Sequence, residues 1–290
     1  MFKGSFVALI TPFRNGAVDY ARLEQLIDFH VREGTAGLSP CGTTGESATL
    51  TTEEHKEVVA FVVKHAAKRI PVMAGTGSNS TQEAVELTVA AAKAGADACL
   101  LISPYYNRPE PEGMFLHFKA IADAAHLPMV LYSIPSRTGR EIAMETVLRL
   151  ADEVKEVVGI KEAGGSLDRV SELCRQTRLD VMSGDDSLTL PMISVGATGV
   201  ISVLANIIPR DVAGIVSSAL AGDMAAARAA HFKTLPLVKA TFLESNPIGI
   251  KTAMGLLRLC AAEMRLPLSP MRPENESKLR QALRDYGLLK

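Results

Sequence analysis

Residues 157–165 read Val-Val-Gly-Ile-Lys-Glu-Ala-Gly-Gly. The run Val157–Ile160 is apolar and β-branched and stops at two glycines, which reads as a buried strand. Lys161 closes it. A lysine at the end of such a strand reaches water along its apolar stem, finds a partner or loses its proton. For a lysine in isolation the first outcome is the ordinary one, because lysine is seldom fully buried. The fold around it decides.

Seven other runs resemble this one, at Ser5–Ile10, Ala36–Ser39, Pro71–Ala74, Ala98–Ile102, Pro128–Tyr132, Asp180–Ser183 and Gly199–Val203. Amphipathic stretches of helical period lie between them, among them Tyr20–Arg32, Glu53–Lys68, Thr81–Ala94, Gly113–Ala125 and Met144–Ala151. Thr51–Glu54 and Ser80–Glu83 have the S/T-x-x-E spacing of capping boxes, and Gly34 and Gly95 stand where helices end. Strand–helix alternation repeated about eight times without a low-complexity break predicts an α/β chain closed as a (β/α)₈ TIM barrel. An open doubly wound sheet would want a glycine fingerprint after its first strand, and Ile10-Thr11-Pro12-Phe13 has none. After Val203 the pattern is mainly helical, through Asp211–Ala221, Met224–Val238 and Lys251–Cys260. The expected division is a catalytic barrel over 1–225 and a C-terminal helical extension over 226–290.

The chain has 290 residues, 47% hydrophobic and 22% charged, with a formal net charge of −1. It has no basic footprint for nucleic acid, no polybasic anchor and no membrane-spanning run, so a small-molecule partner and a cytoplasmic location are expected. Cys41, Cys99, Cys174 and Cys260 lack metal or disulfide spacing and read as buried thiols. The six histidines make no metal-ligand spacing, and neither a metal nor a cofactor is expected.

Reactive groups of such barrels collect at the carboxyl ends of the strands. Here that face holds Cys41–Ser47, Gly75–Asn79, Ser103–Pro109, Tyr132–Gly139, Lys161-Glu162 and Ser183–Asp186, with three of the five tyrosines. Lys161 therefore points into a barrel mouth. Desolvation there should bring its pKa from about 10.4 to roughly 7–8, converting an amine about one part in a thousand neutral into a nucleophile able to form a Schiff base. The Gly42-Thr43-Thr44-Gly45 turn can hold a carboxylate, Tyr132 can shuttle a proton, and Arg137 offers a fork for a second carboxylate. Each has an ordinary structural alternative: a helix-entry turn, a core aromatic, a surface arginine. Asp185 and Asp186 read as loop or cap residues rather than metal ligands.

The motifs GTTGES (42–47), PYYNRP (104–109), YxxPSRTG (132–139) and GIKEA (159–163) resemble, in order and spacing, the dihydrodipicolinate synthase family over essentially the whole chain. The wider pyruvate-lyase superfamily, which includes N-acetylneuraminate lyase and keto-deoxy-sugar acid aldolases, shares the GxTGE turn, the tyrosine and the lysine. Arg137 and the Tyr105-Tyr106-Asn107 loop narrow the resemblance to the synthases. The resemblance implies condensation of pyruvate with L-aspartate-4-semialdehyde. It assigns the imine to Lys161 and proton donation to Tyr132, through Thr43 to Tyr106 of a second subunit. Thr43 and Thr44 would hold the pyruvate carboxylate with Ile201 contributing backbone, Gly184 would also bind substrate, Arg137 would bind the semialdehyde carboxylate, and the assembly would be a homotetramer of two tight dimers.

In members inhibited by L-lysine, the matching positions are Ser47, Ala48, His55, Asn79, Glu83 and Tyr105. Thr52 stands where some of those members have histidine, Ser133 where asparagine is common and Gly164 where threonine is common. A sugar-acid lyase would need polyol-binding groups, and a phosphosugar aldolase would bring its phosphate against Asp185 and Asp186. A keto-acid sensor would not need the lysine, tyrosine and threonine together.

Overall fold

The computed structural model describes residues 2–290. In chain order its strands are β1 (Gly4–Ala8), β2 (Phe13–Arg14), β3 (Ala17–Val18), β4 (Gly37–Ser39), β5 (Met73–Gly75), β6 (Ala98–Ile102), β7 (Met129–Ser133), β8 (Val157–Glu162), β9 (Asp180–Ser183) and β10 (Gly199–Ser202). The α-helices are α1 (Tyr20–Arg32), α2 (Thr52–Ala66), α3 (Thr81–Ala94), α4 (Pro111–Ala125), α5 (Pro135–Thr138), α6 (Met144–Glu153), α7 (Leu167–Gln176), α8 (Thr189–Ser194), α9 (Pro209–Leu220), α10 (Met224–Thr241), α11 (Ile248–Leu256) and α12 (Pro273–Asp285).

Eight parallel strands run β4-β1-β10-β9-β8-β7-β6-β5, and a parallel bridge between Leu38 and Val72 closes the ring. This is the (β/α)₈ barrel expected from the alternation, with the eight runs in their expected places. The small antiparallel pair β2–β3 was not among those runs. Its turn is Asn15-Gly16 with φ of +54° and +82°, the asparagine-glycine pair that favours tight hairpins. Three helices absent from the sequence reading, α5, α7 and α8, follow β7, β8 and β9.

Most helix punctuation is as the sequence indicates. Thr51 accepts from Glu54 N while the Glu54 carboxylate accepts from Thr51 N, a complete capping box. At α3 only half the box forms. Ser80 accepts from Glu83 N, but the Glu83 carboxylate turns instead to the Ser78 hydroxyl. Proline occupies the first turn of α4, α5, α9 and α12, where its missing N–H has no helical partner to lose. Cys41, Cys99 and Cys260 are buried as expected, whereas Cys174 is only half-buried on α7.

Two apolar layers result. Phe6, Met73, Leu100, Val130, Tyr132, Met182 and Ile201 fill the barrel, and a larger cluster joins the outer strand faces to the helices. In β7 the alternation is regular: Met129 and Leu131 face outward, Val130 and Tyr132 inward. In β8 it is broken. Met129 pairs with Val157 but Val130 pairs with Gly159, so Val158 is an extra residue. Val157 and Ile160, three apart, both lie in the outer cluster, and the shift turns Lys161 inward opposite Tyr132.

The C-terminal helices return to the barrel mouth. Lys251 on α11 is fully buried against Glu46, Nζ to Oε1 at 2.5 Å, with its ammonium 4.2 Å from the centre of the Phe13 ring. The second Glu46 oxygen accepts from Arg265 N at 3.1 Å, and the Arg265 guanidinium reaches Glu54, Thr49 O and Gly16 O. The turn bearing Thr43 and Thr44 is thereby clamped from the far end of the chain. Glu46→Gln should destabilise the protein by about 3–5 kcal/mol by leaving a buried ammonium unmatched, and pairing it with Lys251→Met should recover most of that loss. Denaturant unfolding of the two variants measures both; equal stability of Glu46→Gln and the parent would remove the clamp.

Candidate functional site

The carboxyl ends of the barrel strands form its mouth. Lys161 and Tyr132 come from paired positions of β8 and β7, and the lysine Nζ lies 4.2 Å from the centre of the tyrosine ring. The lysine is buried at 6% exposure and makes no ion pair among the described residues. Burial lowers its pKa to about 8; the Asp186 carboxylate pulls it upward and the Arg137 guanidinium pushes it further down. Disfavouring the ammonium form raises the fraction of free, nucleophilic amine near neutral pH. Gly184 leaves room for the chain, since a Cβ at that position would stand 3.0 Å from Lys161 Cε.

Tyr132 is buried, and its hydroxyl is pushed up to about 12 by that burial, partly offset by the Arg137 charge and a hydrogen bond with Thr43. It stays protonated near neutral pH, as a proton donor must. Thr43, Thr44, Tyr132, Arg137, Lys161 and Gly184 line one cavity of about 60 Å³. Arg137 arrives on the short α5, whose entry is fixed by Pro135. Its Nη2 donates to the Asn246 carbonyl at 3.2 Å.

Ile201 lies on β10 in the inner apolar cluster beneath this cavity, with Val203 rather than Ile201 at its wall. Tyr106 is not brought to the lysine of its own chain. It projects at 91% exposure with φ +69°, a conformation disfavoured for a bulky side chain.

A larger cavity of about 470 Å³ adjoins the first and shares Thr43, Tyr132, Arg137 and Asn246 with it. Ser47, Ala48, His55, Glu83 and Tyr105 line it. Asn79 does not; its carbonyl accepts from Asn107 Nδ2 in the neighbouring loop. His55 is lowered to about 4, chiefly by burial, so this wall is neutral at ordinary pH. Glu83, whose carboxylate accepts from the Ser78 hydroxyl, adds an acidic group beside that neutral imidazole.

Asp185 and Asp186 are caps. Asp185 accepts from Ser187 N at 2.7 Å, and Asp186 accepts from Val203 N and Leu204 N, each at 3.0 Å, and from the Ser202 hydroxyl. The sequence reading missed Asn246 and the pair Glu46–Lys251. Lys251 carried a usable signal: Gly249-Ile250-Lys251 repeats the tripeptide Gly159-Ile160-Lys161. Asn246 carried only the Asn-Pro step that interrupts the C-terminal helices.

A model of the dihydrodipicolinate synthetase family matches residues 1–286. A 4-hydroxy-tetrahydrodipicolinate synthase from Geotalea uraniireducens is 53% identical over the full length of both chains. Among solved structures, a dihydrodipicolinate synthase from Aquifex aeolicus superposes with a TM-score of 0.98 at 51% identity, covering 99% of each chain. Another, from Cyanidioschyzon merolae with lysine bound, gives 0.96 at 40% identity, again covering 99% of each.

The pKa of about 8 at Lys161 fixes the direction of its pH response. The free base is the reactive form and it accumulates as pH rises. Modification of Lys161 by trinitrobenzenesulfonate, followed by peptide mapping, should quicken about tenfold per unit below pH 8 and level off above it. A rate still climbing at pH 10 would mean an unshifted amine.

Proposed function

The chain belongs to the dihydrodipicolinate synthetase family, and from that premise we propose how its residues carry the reaction. The reaction is the aldol condensation, by a lyase, of pyruvate with L-aspartate-4-semialdehyde to 4-hydroxy-tetrahydrodipicolinate, the first committed step toward diaminopimelate and lysine. The Lys161 amine adds to the pyruvate ketone and expels water to form an imine. Loss of a methyl proton gives the enamine, whose carbon attacks the semialdehyde carbonyl, and the resulting alkoxide takes a proton. Attack by the substrate's own amine on the imine carbon then closes the ring and frees the lysine.

The observation that carries this assignment is the unpaired, desolvated amine opposite Tyr132 in one small cavity. Thr43 and Thr44 hold the pyruvate carboxylate, with Gly184 at its border and Ile201 in the apolar layer beneath. Tyr132 donates the proton and is linked through Thr43 to the rest of the relay, and Arg137 receives the semialdehyde carboxylate. Tyr106 completes the relay in the site of a second copy. Its exposure in its own chain supports that reading, and with it a homotetramer assembled from two tight dimers. The reaction proceeds without a cofactor, in the cytoplasm; no described helix is long and apolar enough to cross a membrane. The alternative, another pyruvate-dependent lyase acting on N-acetylneuraminate or a keto-deoxy sugar acid, is not favoured, because relatives above half identity carry the synthase name.

L-Lysine binds in the larger cavity, through Ser47, Ala48, His55, Glu83 and Tyr105, with Asn79 in the loop beside it rather than in its wall. The acidic Glu83 beside a polar, neutral wall suits an amino acid with an extra ammonium, and one relative is solved with lysine bound.

Lys161→Ala should abolish the pyruvate adduct trapped by borohydride, and with it pyruvate-dependent consumption of aspartate semialdehyde, by at least a thousandfold; unchanged trapping would remove the lysine from the chemistry. Millimolar L-lysine should slow the parent enzyme and leave Glu83→Ala much less affected. A rate indifferent to lysine would sink the regulatory assignment alone.

A further inference from the structure

Asn246 lies in the loop between α10 and α11, at 9% exposure, and borders both the lysine cavity and the larger one beside it. Its side-chain Nδ2 donates to Thr44 Oγ1 at 3.0 Å, while its backbone carbonyl accepts from Arg137 Nη2 at 3.2 Å. Its Oδ1 is buried without a protein partner among the described residues. A side chain selected for stability alone would not leave a buried acceptor unmatched, and such orphans call for an explanation beyond packing.

The bond that the same side chain does make constrains how the Thr44 hydroxyl shares its own. A threonine hydroxyl has one proton to give and two lone pairs to fill. With one lone pair of Thr44 occupied by the Asn246 amide, the O–H is turned away from that amide and left for an anion in the cavity. An aspartate at 246 would have the same shape and the opposite effect. Its carboxylate can only accept, so it would draw the Thr44 proton to itself and set a negative charge beside the bound carboxylate.

We propose that Asn246 is a positioning residue that orients the Thr44 hydroxyl toward the pyruvate carboxylate, so that the C-terminal segment sets keto-acid affinity through Thr44. The proposal rests on Thr44 as a holder of that carboxylate. Because the Arg137 contact uses the backbone of Asn246, substitutions of its side chain separate the two substrates: pyruvate binding changes and semialdehyde binding does not.

The test is half-saturation of borohydride-trapped adduct by pyruvate, together with the KM for semialdehyde, in the full-length protein and its variants. Asn246→Ala should raise the pyruvate half-saturation about tenfold and leave the semialdehyde KM within about twofold. Asn246→Asp should raise the pyruvate value further than Asn246→Ala does. A packing role predicts the reverse order, with the isosteric aspartate near the parent and alanine impaired, and that result overturns the proposal. So does a parallel rise in both constants. Should the aspartate variant fail to fold, Thr44→Val provides a second arm: adding Asn246→Ala to it should cause little further loss, because the asparagine acts through the threonine. Additive losses refute it. If the parent traps no pyruvate adduct, the functional assignment has failed; if it traps one and the order of variants is wrong, only the role of Asn246 has.

Discussion

One extra residue in β8 governs the chemistry of this protein. Residues 157 and 161 differ by four, so an uninterrupted strand would place both on the same side of the sheet. Val157 faces the helices, and Lys161 would join it among apolar side chains outside the barrel. The bulge at Val158 resets the alternation, and the amine comes to lie inside, level with Tyr132. Its lowered basicity, its lack of an ion-pairing partner and its place beside the threonine turn all follow from that single shift in register.

The second determinant is where negative charge was put. Asp186 is the carboxylate that lifts the lysine's proton affinity, and its oxygens are engaged by Ser202 and by two backbone amides at the end of β10. Those bonds fix its position as a background charge. The Arg137 charge opposes it, so the lysine feels both a carboxylate and a guanidinium, and it forms no ion pair with the carboxylate. An amine salted to a carboxylate would hold its proton and lose its nucleophilicity. The contrast within this chain is Lys251, equally buried, whose pairing with Glu46 makes it a fastener.

How much of this the sequence disclosed can be argued from these two lysines. Each ends a Gly-Ile-Lys tripeptide in an apolar run, and local pattern cannot separate them. What singled out Lys161 was its place at the end of a strand in an alternating series, with the polar loops GTTGES and PSRTG converging on the same face. The barrel, its eight strands and the grouping of Thr43, Thr44, Tyr132, Arg137 and Lys161 were legible for that reason. The register shift was not, because Val158 looks like any strand residue. Asn246 was hidden by distance: its partners Thr44 and Arg137 are far away in sequence, and only folding brings them within hydrogen-bond reach. Glu83 shows the converse error, since its spacing promised a cap and the side chain went to Ser78.

The clamp of Glu46 by Lys251 and Arg265 also bears on the history of such a chain. The glutamate closes the GTTGE turn that borders the lysine cavity, and both of its cationic and amide partners come from the last fifty residues. A tail bound only to the outside of a barrel can be exchanged, shortened or lost by drift. This one supplies a counter-ion to the floor of the catalytic mouth, so its removal would strand a carboxylate at the place where an anionic reactant must enter. The terminal helices and the second βα loop are thereby held to a common fate, able to change only together.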